Sequence, residues 1–363
     1  MKILFLVNSP AGFYSFRKEL AESLIQDHSV ILCTPNGDRI DYFQQLGCDI
    51  RLNTHLELRG TNPLKDWKLY RYYYSLLRQE RPDCVCTYTI KPNVYGGMAC
   101  AALKIPYVAN ITGLGSAVES GGWIQKITLP LYRHGLRKAA MVFFQNQENL
   151  DFMLKHKIVS GSWDLLPGSG VNLKGFLPLD YPDGDTVDFT FISRIMKEKG
   201  IDQYLEAADA IYARHPETRF HVYGPCDNEY QEILEQYQVK GIIQYHGYTK
   251  DIVGVHRNSC CTIHPSYYPE GMSNVLLESA ACARPVITTD RPGCIETVDD
   301  GVTGFVVRQK DTSDLIQKIE QFLSMSWAER RDMGLNGRRK MERQFDRNIV
   351  VRKYLDTIQK ITK

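Results

Sequence analysis

The sequence predicts an α/β protein made of two Rossmann-like domains. Apolar runs of strand length alternate with helical stretches along nearly the whole chain, and the alternation starts afresh after a stretch rich in glycine and proline. This rhythm is typical of parallel sheets covered by helices on both faces. The length of 363 residues matches two domains of ordinary size, each with enough chain for its own core.

The first half of the chain alternates between predicted strands and helices. The opening run KILFLV ends at once at Asn8, Ser9 and Pro10, so it reads as a buried strand and is too short for a secretory segment. The following elements are a helix over 15–26, the strand SVILCTP, a helix over 39–46, the strand CDIRLN, then DCVCTY, a helix over 94–103, PYVANIT, a helix over 124–138 and MVFFQN.

The second half repeats the pattern after the turn-rich stretch LLPGSGVNLKGFLPLDYPDGD. We place a hinge between the two units at about 168–186. The predicted elements are the strand DFTFIS, a helix over 201–214, RFHVYG, a helix over 229–238, IIQYHG, CCTIHP, a helix over 275–283, PVITT and GFVV.

Composition limits the class of protein. Hydrophobic residues make up 43% and charged residues 24%, and no apolar run approaches the roughly 18 to 20 residues that span a bilayer. None of the ten cysteines forms a C-x-x-C pair, so no zinc site is indicated, and without a predicted signal peptide we expect a reduced cytosolic protein. A net charge of +2 and no recognised motif argue against nucleic acid as a partner.

The positive charge is unevenly distributed. Residues 1–170 hold 19 Lys and Arg against 14 Asp and Glu, and much of this excess lies in the segment 59–81. Basic and aromatic side chains that alternate suit a membrane interface, whereas a surface helix with an aromatic core stripe would give the same pattern, and the sequence leaves both open. The residues concerned are Arg59, Lys65, Trp67, Lys68, Tyr70, Arg71, Tyr72, Tyr73, Tyr74, Arg78 and Arg81.

The segment EGMSNVLLE, residues 270–278, places two glutamates eight positions apart across the start of a predicted helix. Ser273 is a good N-cap, and Gly271 has no side chain to block an anion from the positive end of the helix dipole. Glu270 and Glu278 would then lie beside hydroxyl-rich parts of the same ligand. The alternative is that the two glutamates only complement the helix dipole and form a solvated helix face. Their spacing alone does not decide between a ligand site and this alternative.

A basic loop follows the first predicted strand of the second half. SRIMKEKG, residues 193–200, carries Arg194 and Lys199, and one guanidinium fork with one point charge suits a diphosphate. Two surface cations beside a glycine turn are the alternative. Ligands of open parallel sheets bind beyond the carboxyl ends of the strands, so we expect this loop and the glutamate loop to share one crevice.

This combination resembles the family 4 glycosyltransferases of the GT-B architecture, in which two Rossmann-like domains face a central cleft. SRIMKEKG looks like their diphosphate-binding segment and EGMSNVLLE like their paired-glutamate motif, while LLPGSGVNLKGF and PVITTDRPGCIETVDDGVTGFVV resemble their interdomain segment and closing strand and loop. The resemblance implies an N-terminal acceptor domain over 1–170, a nucleotide-sugar domain over 171–345 and a C-terminal helix over 346–363 that packs back on the first domain.

The resemblance also implies a role for each site residue. Arg194 and Lys199 would stabilise the donor diphosphate as leaving group, Glu270 would hold the donor sugar and Glu278 the ribose. Neither glutamate is expected to act as a base. Relatives are retaining and need no cofactor or bound metal, and the lack of a DxD motif in the expected setting agrees. Further expected donor contacts are Gly12, on a loop that closes over the phosphates, Tyr248, whose loop would meet the uracil, Gly271, Met272, Ser273, Asn274 and Val275.

The first half resembles bacterial enzymes that extend lipid-linked saccharides, including N-acetylgalactosaminyltransferases. The segments YTIKPNVYGG and NITGLGSA carry this resemblance, which implies a UDP-sugar donor, a polyprenyl-diphosphate saccharide acceptor and a location at the inner face of the cell membrane. Candidate acceptor contacts are Lys91 on the IKPN loop, Thr112 and Gly113. Thr112 and Gly113 stand where many relatives carry a histidine. A UDP-N-acetylglucosamine 2-epimerase and a non-catalytic nucleotide-sugar-binding protein remain as alternatives.

Overall fold

The computed structural model describes residues 1–57, 62–115, 118, 122–226 and 228–362, and its chain forms two compact units. Unit 1 comprises Met1–Gly170, Pro269–Met272 and Arg347–Lys363, and unit 2 comprises Val171–Tyr268 and Ser273–Asp346. The short segment Pro269–Met272 lies in sequence within the second half, yet it clusters with unit 1.

Unit 1 is built on a seven-stranded parallel sheet. The strand order is β3-β2-β1-β4-β5-β6-β7, so the direction of winding reverses between β1 and β4. Such a reversal opens a crevice at the carboxyl ends of the two central strands. The strands are β1 (Lys2–Leu6), β2 (Ser29–Thr34), β3 (Asp49–Leu52), β4 (Cys84–Tyr88), β5 (Tyr107–Ile111), β6 (Met141–Phe144) and β7 (Trp163–Leu165).

Helices cover the unit 1 sheet, and their ends follow ordinary capping chemistry. The Ser9 hydroxyl accepts from the Gly12 amide at the start of the first helix, and Asn62 caps the third, which opens with a proline. The helices are α1 (Pro10–Leu24), α2 (Ile40–Gln45), α3 (Pro63–Glu80), α4 (Gly97–Leu103), which continues a π-helical turn at Pro92–Gly96, α5 (Gly122–Leu136), α6 (Gln147–Lys155) and the C-terminal helix (Arg347–Ile361).

The C-terminal helix contributes to the core of unit 1. Val350, Val351, Tyr354 and Ile358 are buried in one cluster with β1 side chains such as Phe5. The Tyr354 hydroxyl accepts a hydrogen bond from Asn110 Nδ2 at 2.7 Å, at the carboxyl end of β5. Burial of four large side chains ties this helix to the sheet through the hydrophobic effect.

Unit 2 is built on a six-stranded parallel sheet. The strand order is β10-β9-β8-β11-β12-β13, and the winding reverses between β8 and β11. The strands are β8 (Val187–Ile192), β9 (Thr218–Tyr223), β10 (Ile243–Tyr245), β11 (Cys261–His264), β12 (Val286–Thr289) and β13 (Gly304–Val307). The helices are α7 (Ile201–Tyr212), α8 (Asn228–Val239), α9 (Ile252–Arg257), α10 (Asn274–Ala281), α11 (Thr312–Leu323) and α12 (Trp327–Lys340).

A buried arginine fixes the entry of the chain into unit 2. Arg284 is fully buried, and its guanidinium donates to the carbonyls of His256 at 2.7 Å, Leu179 at 3.1 Å and Asp180 at 2.6 Å. Burial of a cation is costly unless its donors are satisfied. These bonds therefore anchor the turn-rich stretch beside Leu179 to the end of α9.

The predicted fold class, two Rossmann-like α/β domains, is confirmed. The local differences are that α1 begins at Pro10 instead of residue 15 and that β7, α6, α9, α11 and α12 were not singled out from the sequence. All ten cysteines are free, and nine of them are buried. Across the described part of the chain, no helix has both the length and the apolar character needed to cross a bilayer.

Candidate active site

The two motifs of the second half follow the central strands of the unit 2 sheet. Arg194 and Lys199 lie on the segment after β8, and the segment from Pro265 follows β11, which is the hydrogen-bonded neighbour of β8. The winding of the sheet reverses between these two strands. The structure therefore brings both segments to the place where open parallel sheets bind ligands.

The backbone of the basic loop is held rigidly. Ile195 N donates to Pro225 O at 2.9 Å, and a side chain at Gly224 would collide with the Ser193 carbonyl. Gly200 ends the 3₁₀ turn Lys197–Lys199 with φ of 79°, and a Cβ there would collide with the Pro265 carbonyl. Only glycine combines this left-handed conformation with so close an approach. Lys199 is consequently fixed against the segment that follows β11.

Lys199 is buried, and its environment disfavours its charge. Burial, with a further contribution from the Arg194 guanidinium, lowers the pKa of Lys199 to about 8. Burial and the Lys199 charge likewise lower the pKa of His264, at the end of β11, to about 3, so this histidine is neutral. A titratable cation in a strand-end crevice is typical of a functional site.

The aromatic ring of Tyr268 lies close to both Arg194 and Lys199. Its ring centroid lies 4.7 Å from Lys199 Nζ and 5.8 Å from Arg194 Cζ, both within the range of a cation–π interaction. The sequence analysis did not single out this residue. The available signal was its position two residues before Glu270.

The paired-glutamate segment divides between the units. Glu270, Gly271 and Met272 belong to unit 1, whereas Ser273 onward belongs to unit 2. Ser273 occupies the N-cap of α10 as predicted, although its side chain makes no capping bond and its amide donates to Gly293 O at 2.7 Å. That amide is therefore engaged within the protein and is not available for the donor contact expected of Ser273.

The remaining expected donor contacts of unit 2 lie on α10 and on the loop after β10. Asn274 and Val275 form the first turn of α10, where backbone amides lack acceptors within the helix. Glu278 is half-buried on the next turn. Tyr248 is 68% exposed, and the adjacent Gly247 carbonyl accepts from Gly224 N at 2.8 Å, which links this loop to the loop after β9.

In unit 1, the segment that carries Glu270 packs against the carboxyl ends of β5 and β6. Asn146 Nδ2 donates to Glu270 O at 3.1 Å and to Gly271 O at 2.8 Å. A Cβ at Gly271 would collide with the Thr112 carbonyl and would lie 2.5 Å from Gln145 Oε1. Glycine is thus required at 271 by protein atoms, whether or not a phosphate also approaches it.

Asn146 and Gln145 were missed by the sequence reasoning. Both follow β6 directly, at a strand end of the kind we searched, but an amide pair carries no charge and matches no simple chemical pattern. Thr112 and Gly113, the candidate acceptor residues, lie against the same segment, since a Cβ on Gly113 would come within 3.3 Å of Gly271 N.

Two candidate site residues of unit 1, Gly12 and Lys91, lie on helical turns and not on the predicted loops. Gly12 lies in the first turn of α1 and not on a loop, and its amide donates to Ser9 Oγ at 3.1 Å. Lys91 lies at the helical start that follows β4, and its ammonium pairs with Asp66 of α3 at 2.9 Å. The predicted loop position of both residues was wrong, because proline at 10 and at 92 favours an early helix start.

Two family models match the chain and together cover most of it. The one described as "Glycosyl transferases group 1" matches residues 182–340, and the "Glycosyl transferase 4-like domain" matches residues 15–167. The chain is a family 4-type glycosyltransferase of the GT-B fold. This agrees with the resemblance drawn from the motifs of the two halves.

Relatives of known name resemble this glycosyltransferase over long stretches. An N,N'-diacetylbacillosaminyl-diphospho-undecaprenol α-1,3-N-acetylgalactosaminyltransferase of Campylobacter jejuni is 24% identical, with both chains fully covered. The capsular polysaccharide biosynthesis glycosyltransferase CapM of Staphylococcus aureus is 25% identical over 81% of this chain and 83% of its own. Anabaena HepE, solved in complex with UDP, has the same fold, with a TM-score of 0.82, 17% identity and coverage of 99% and 100%.

Proposed function

We propose that this glycosyltransferase moves an N-acetylhexosamine, such as N-acetylgalactosamine, from a UDP-sugar to a saccharide on a polyprenyl diphosphate during bacterial surface-glycan or glycoprotein-glycan assembly. The observation that carries the proposal is the placement of Arg194 and Lys199 beside the segment that follows β11, at the reversal of the unit 2 sheet. Similarity to the Campylobacter transferase along both whole chains supports the acceptor class.

The proposed chemistry is stabilisation of a leaving group. Negative charge grows on the UDP diphosphate as the bond to the sugar breaks, and fixed cations are worth more in a partly buried site than in water. Arg194 offers a bidentate fork and Lys199 a point charge for that group. Glu270 holds the transferred sugar, and Glu278 holds the ribose.

We further propose that the reaction retains the configuration of the sugar carbon and needs no metal. The departing diphosphate takes the proton of the acceptor hydroxyl on the same face, so no protein base is required. The two cations supply the charge that a metal would supply in other transferases.

The donor and the reaction can be tested together. The enzyme would be incubated with UDP-N-acetylgalactosamine, UDP-N-acetylglucosamine or UDP-glucose and a polyprenyl-diphosphate saccharide, with EDTA present, and the product anomer read by NMR. We expect transfer with retention from one N-acetylhexosamine donor. Absence of transfer from every donor would contradict the proposal, and conversion of the donor sugar without acceptor would indicate an epimerase.

The lowered pKa of Lys199 predicts a pH dependence of donor binding. Diphosphate favours the protonated lysine, so UDP affinity is highest well below pH 8 and declines as the pH rises through about 8. Calorimetric titration of UDP between pH 7 and 9.5 should show this decline. A Lys199→Arg variant remains charged throughout and should lose the inflection. An inflection that persists in the arginine variant would mean that another group titrates.

We also propose that α3 contacts the membrane that carries the acceptor. On its outer face Leu64 is 75% and Trp67 55% exposed, Lys68 is exposed beside them, and the Arg71 guanidinium lies 5.0 Å from the Trp67 ring. The inner face uses Leu69, Tyr73, Leu76 and Leu77 in the core. The inner face therefore fits the core-stripe interpretation, and the outer face is the one that we propose for the membrane. Arg59 lies outside the described residues.

Charge reversal on this face tests membrane binding. Each cation near an anionic surface contributes about 1 kcal/mol, so Lys68→Glu with Arg71→Glu should weaken binding to phosphatidylglycerol vesicles at least about 30-fold. Vesicle co-sedimentation measures this. The matched control is Lys240→Glu with Arg352→Glu, which reverses two exposed cations elsewhere. Equal losses in both variants would show that net charge and not α3 decides binding.

A further inference from the structure

Tyr268 lies beside the proposed diphosphate site and has no role in the chemistry proposed for that site. Its ring lies against the two side chains proposed to hold the diphosphate, 4.7 Å from Lys199 Nζ and 5.8 Å from Arg194 Cζ. The next ring along the chain, Tyr267, lies instead 4.7 Å from Lys310 Nζ. The two neighbouring tyrosines therefore face different cations.

Hydrogen bonds of the backbone hold the segment that carries Tyr268 against the turn that carries Lys199. Tyr268 N donates to Ser266 Oγ at 3.2 Å, and that hydroxyl donates to Glu198 O at 3.4 Å. Tyr267 N donates to the same Glu198 carbonyl at 2.9 Å. Since Glu198 and Lys199 lie on one 3₁₀ turn, these hydrogen bonds join the backbone segments that carry the ring and the ammonium.

An aromatic ring can offset the electrostatic repulsion between the two cations of a diphosphate site. Two cations that must share one ligand repel each other before the ligand arrives. A carboxylate between them would relieve the repulsion but would also neutralise the charge and compete for the donors. A ring attracts both cations through its quadrupole and leaves their net charge available.

We infer that Tyr268 is a positioning residue of the diphosphate site, whose ring holds Arg194 and Lys199 at the spacing that a nucleoside diphosphate requires. The inference rests on the proposed function, because it assumes that these cations bind the donor diphosphate. It assigns no contact between Tyr268 and the reacting atoms. It requires the ring and not the hydroxyl.

The test separates the diphosphate from the rest of the ligand. UDP affinity is measured by calorimetry and uridine affinity by ligand-observed NMR, at pH 7 and low salt, for wild type, Tyr268→Leu and Tyr268→Phe. Loss of two cation–π interactions in Tyr268→Leu should weaken UDP binding on the order of 5- to 30-fold and leave uridine binding unchanged. Tyr268→Phe keeps the ring and should remain within about 2-fold of wild type for both ligands.

Tyr267→Leu is the matched control, since it removes a neighbouring ring that faces Lys310. We expect its ratio of UDP to uridine affinity to equal that of wild type. Tyr268→Met, which keeps the bulk without the ring, replaces the leucine variant if thermal unfolding shows that the latter is not folded.

The outcomes distinguish the two proposals. A wild-type protein that does not bind UDP overturns the proposed donor class and the inference with it. A wild-type protein that binds UDP, with an unchanged affinity ratio in Tyr268→Leu, overturns the inference alone. Parallel losses of UDP and uridine in Tyr268→Leu, or a loss in Tyr268→Phe equal to that in Tyr268→Leu, also overturn it, because a purely structural role or the hydroxyl would then explain the effect.

Discussion

Replacement of Arg194 by alanine is expected to reduce turnover roughly 10- to 150-fold. The proposed role of Arg194 is to stabilise the charge that develops on the departing diphosphate, and a hydrogen bond to a charged group contributes about 1.5 to 3 kcal/mol. Because this interaction strengthens as the bond breaks, kcat should fall together with kcat/KM. Steady-state kinetics with the lipid-linked acceptor and the active UDP-sugar measures both quantities.

Two further variants show whether the guanidinium fork itself matters. Arg194→Lys preserves the charge but not the bidentate geometry, so its activity should lie between wild type and the alanine variant. Arg219→Ala removes an exposed arginine of β9 that pairs with Asp188 at 3.6 Å, and it should leave kcat unchanged. An Arg194→Ala enzyme with normal turnover would remove Arg194 from the site.

Gly271→Ala is expected to lower activity on the order of 100-fold while most of the protein stays folded. The added Cβ has no space between the Thr112 carbonyl and Gln145 Oε1, so the segment must shift away from the ends of β5 and β6. Overpacking of this kind costs about 1 to 3 kcal/mol, and a displacement near 1 Å at a reacting group can cost about 100-fold in rate. The displaced residue is the neighbouring Glu270, proposed to hold the donor sugar.

Thermal unfolding and kinetics together identify the cause of this loss. Gly175→Ala is the matched control, because a Cβ there meets its nearest atom, Asn172 Cγ, at the ordinary distance of 3.5 Å. We expect Gly175→Ala to retain wild-type kcat. A Gly271→Ala enzyme with unchanged kcat would show that the position of Glu270 tolerates movement and does not limit the reaction.

The strands and helices could be predicted closely because their signals are local. Apolar runs bounded by turn residues predicted β1, β4, β8 and β11, and N-cap chemistry at Ser273 predicted the start of α10 within one residue. The starts of α1 and of the helical stretch at Lys91 were misplaced. In both cases a proline inside the first turn was interpreted as part of a loop, although it is equally compatible with a helix start.

Contacts between distant segments were not predictable from the same patterns. Lys91 was expected on an open loop, yet it pairs with Asp66, and the aromatic segment 59–81 was expected to serve either the core or a membrane. The helical period fixes which residues share a face, but only packing decides which face is buried. The buried side chains of α3 are now known, and its exposed basic face is left for the proposed membrane contact.

The sequence alone predicted the two α/β units, the family by resemblance, and the positions of the two motifs that we propose bind the donor. Hydrophobic periodicity, turn chemistry and motif spacing are properties of neighbouring residues. Only the tertiary structure decided that β11 lies beside β8, that the Tyr268 ring faces both Arg194 and Lys199, and that Gly271 is confined by Thr112 and Gln145. Each of these depends on strand order and on backbone approach between residues far apart in the chain, and no local pattern encodes such an approach.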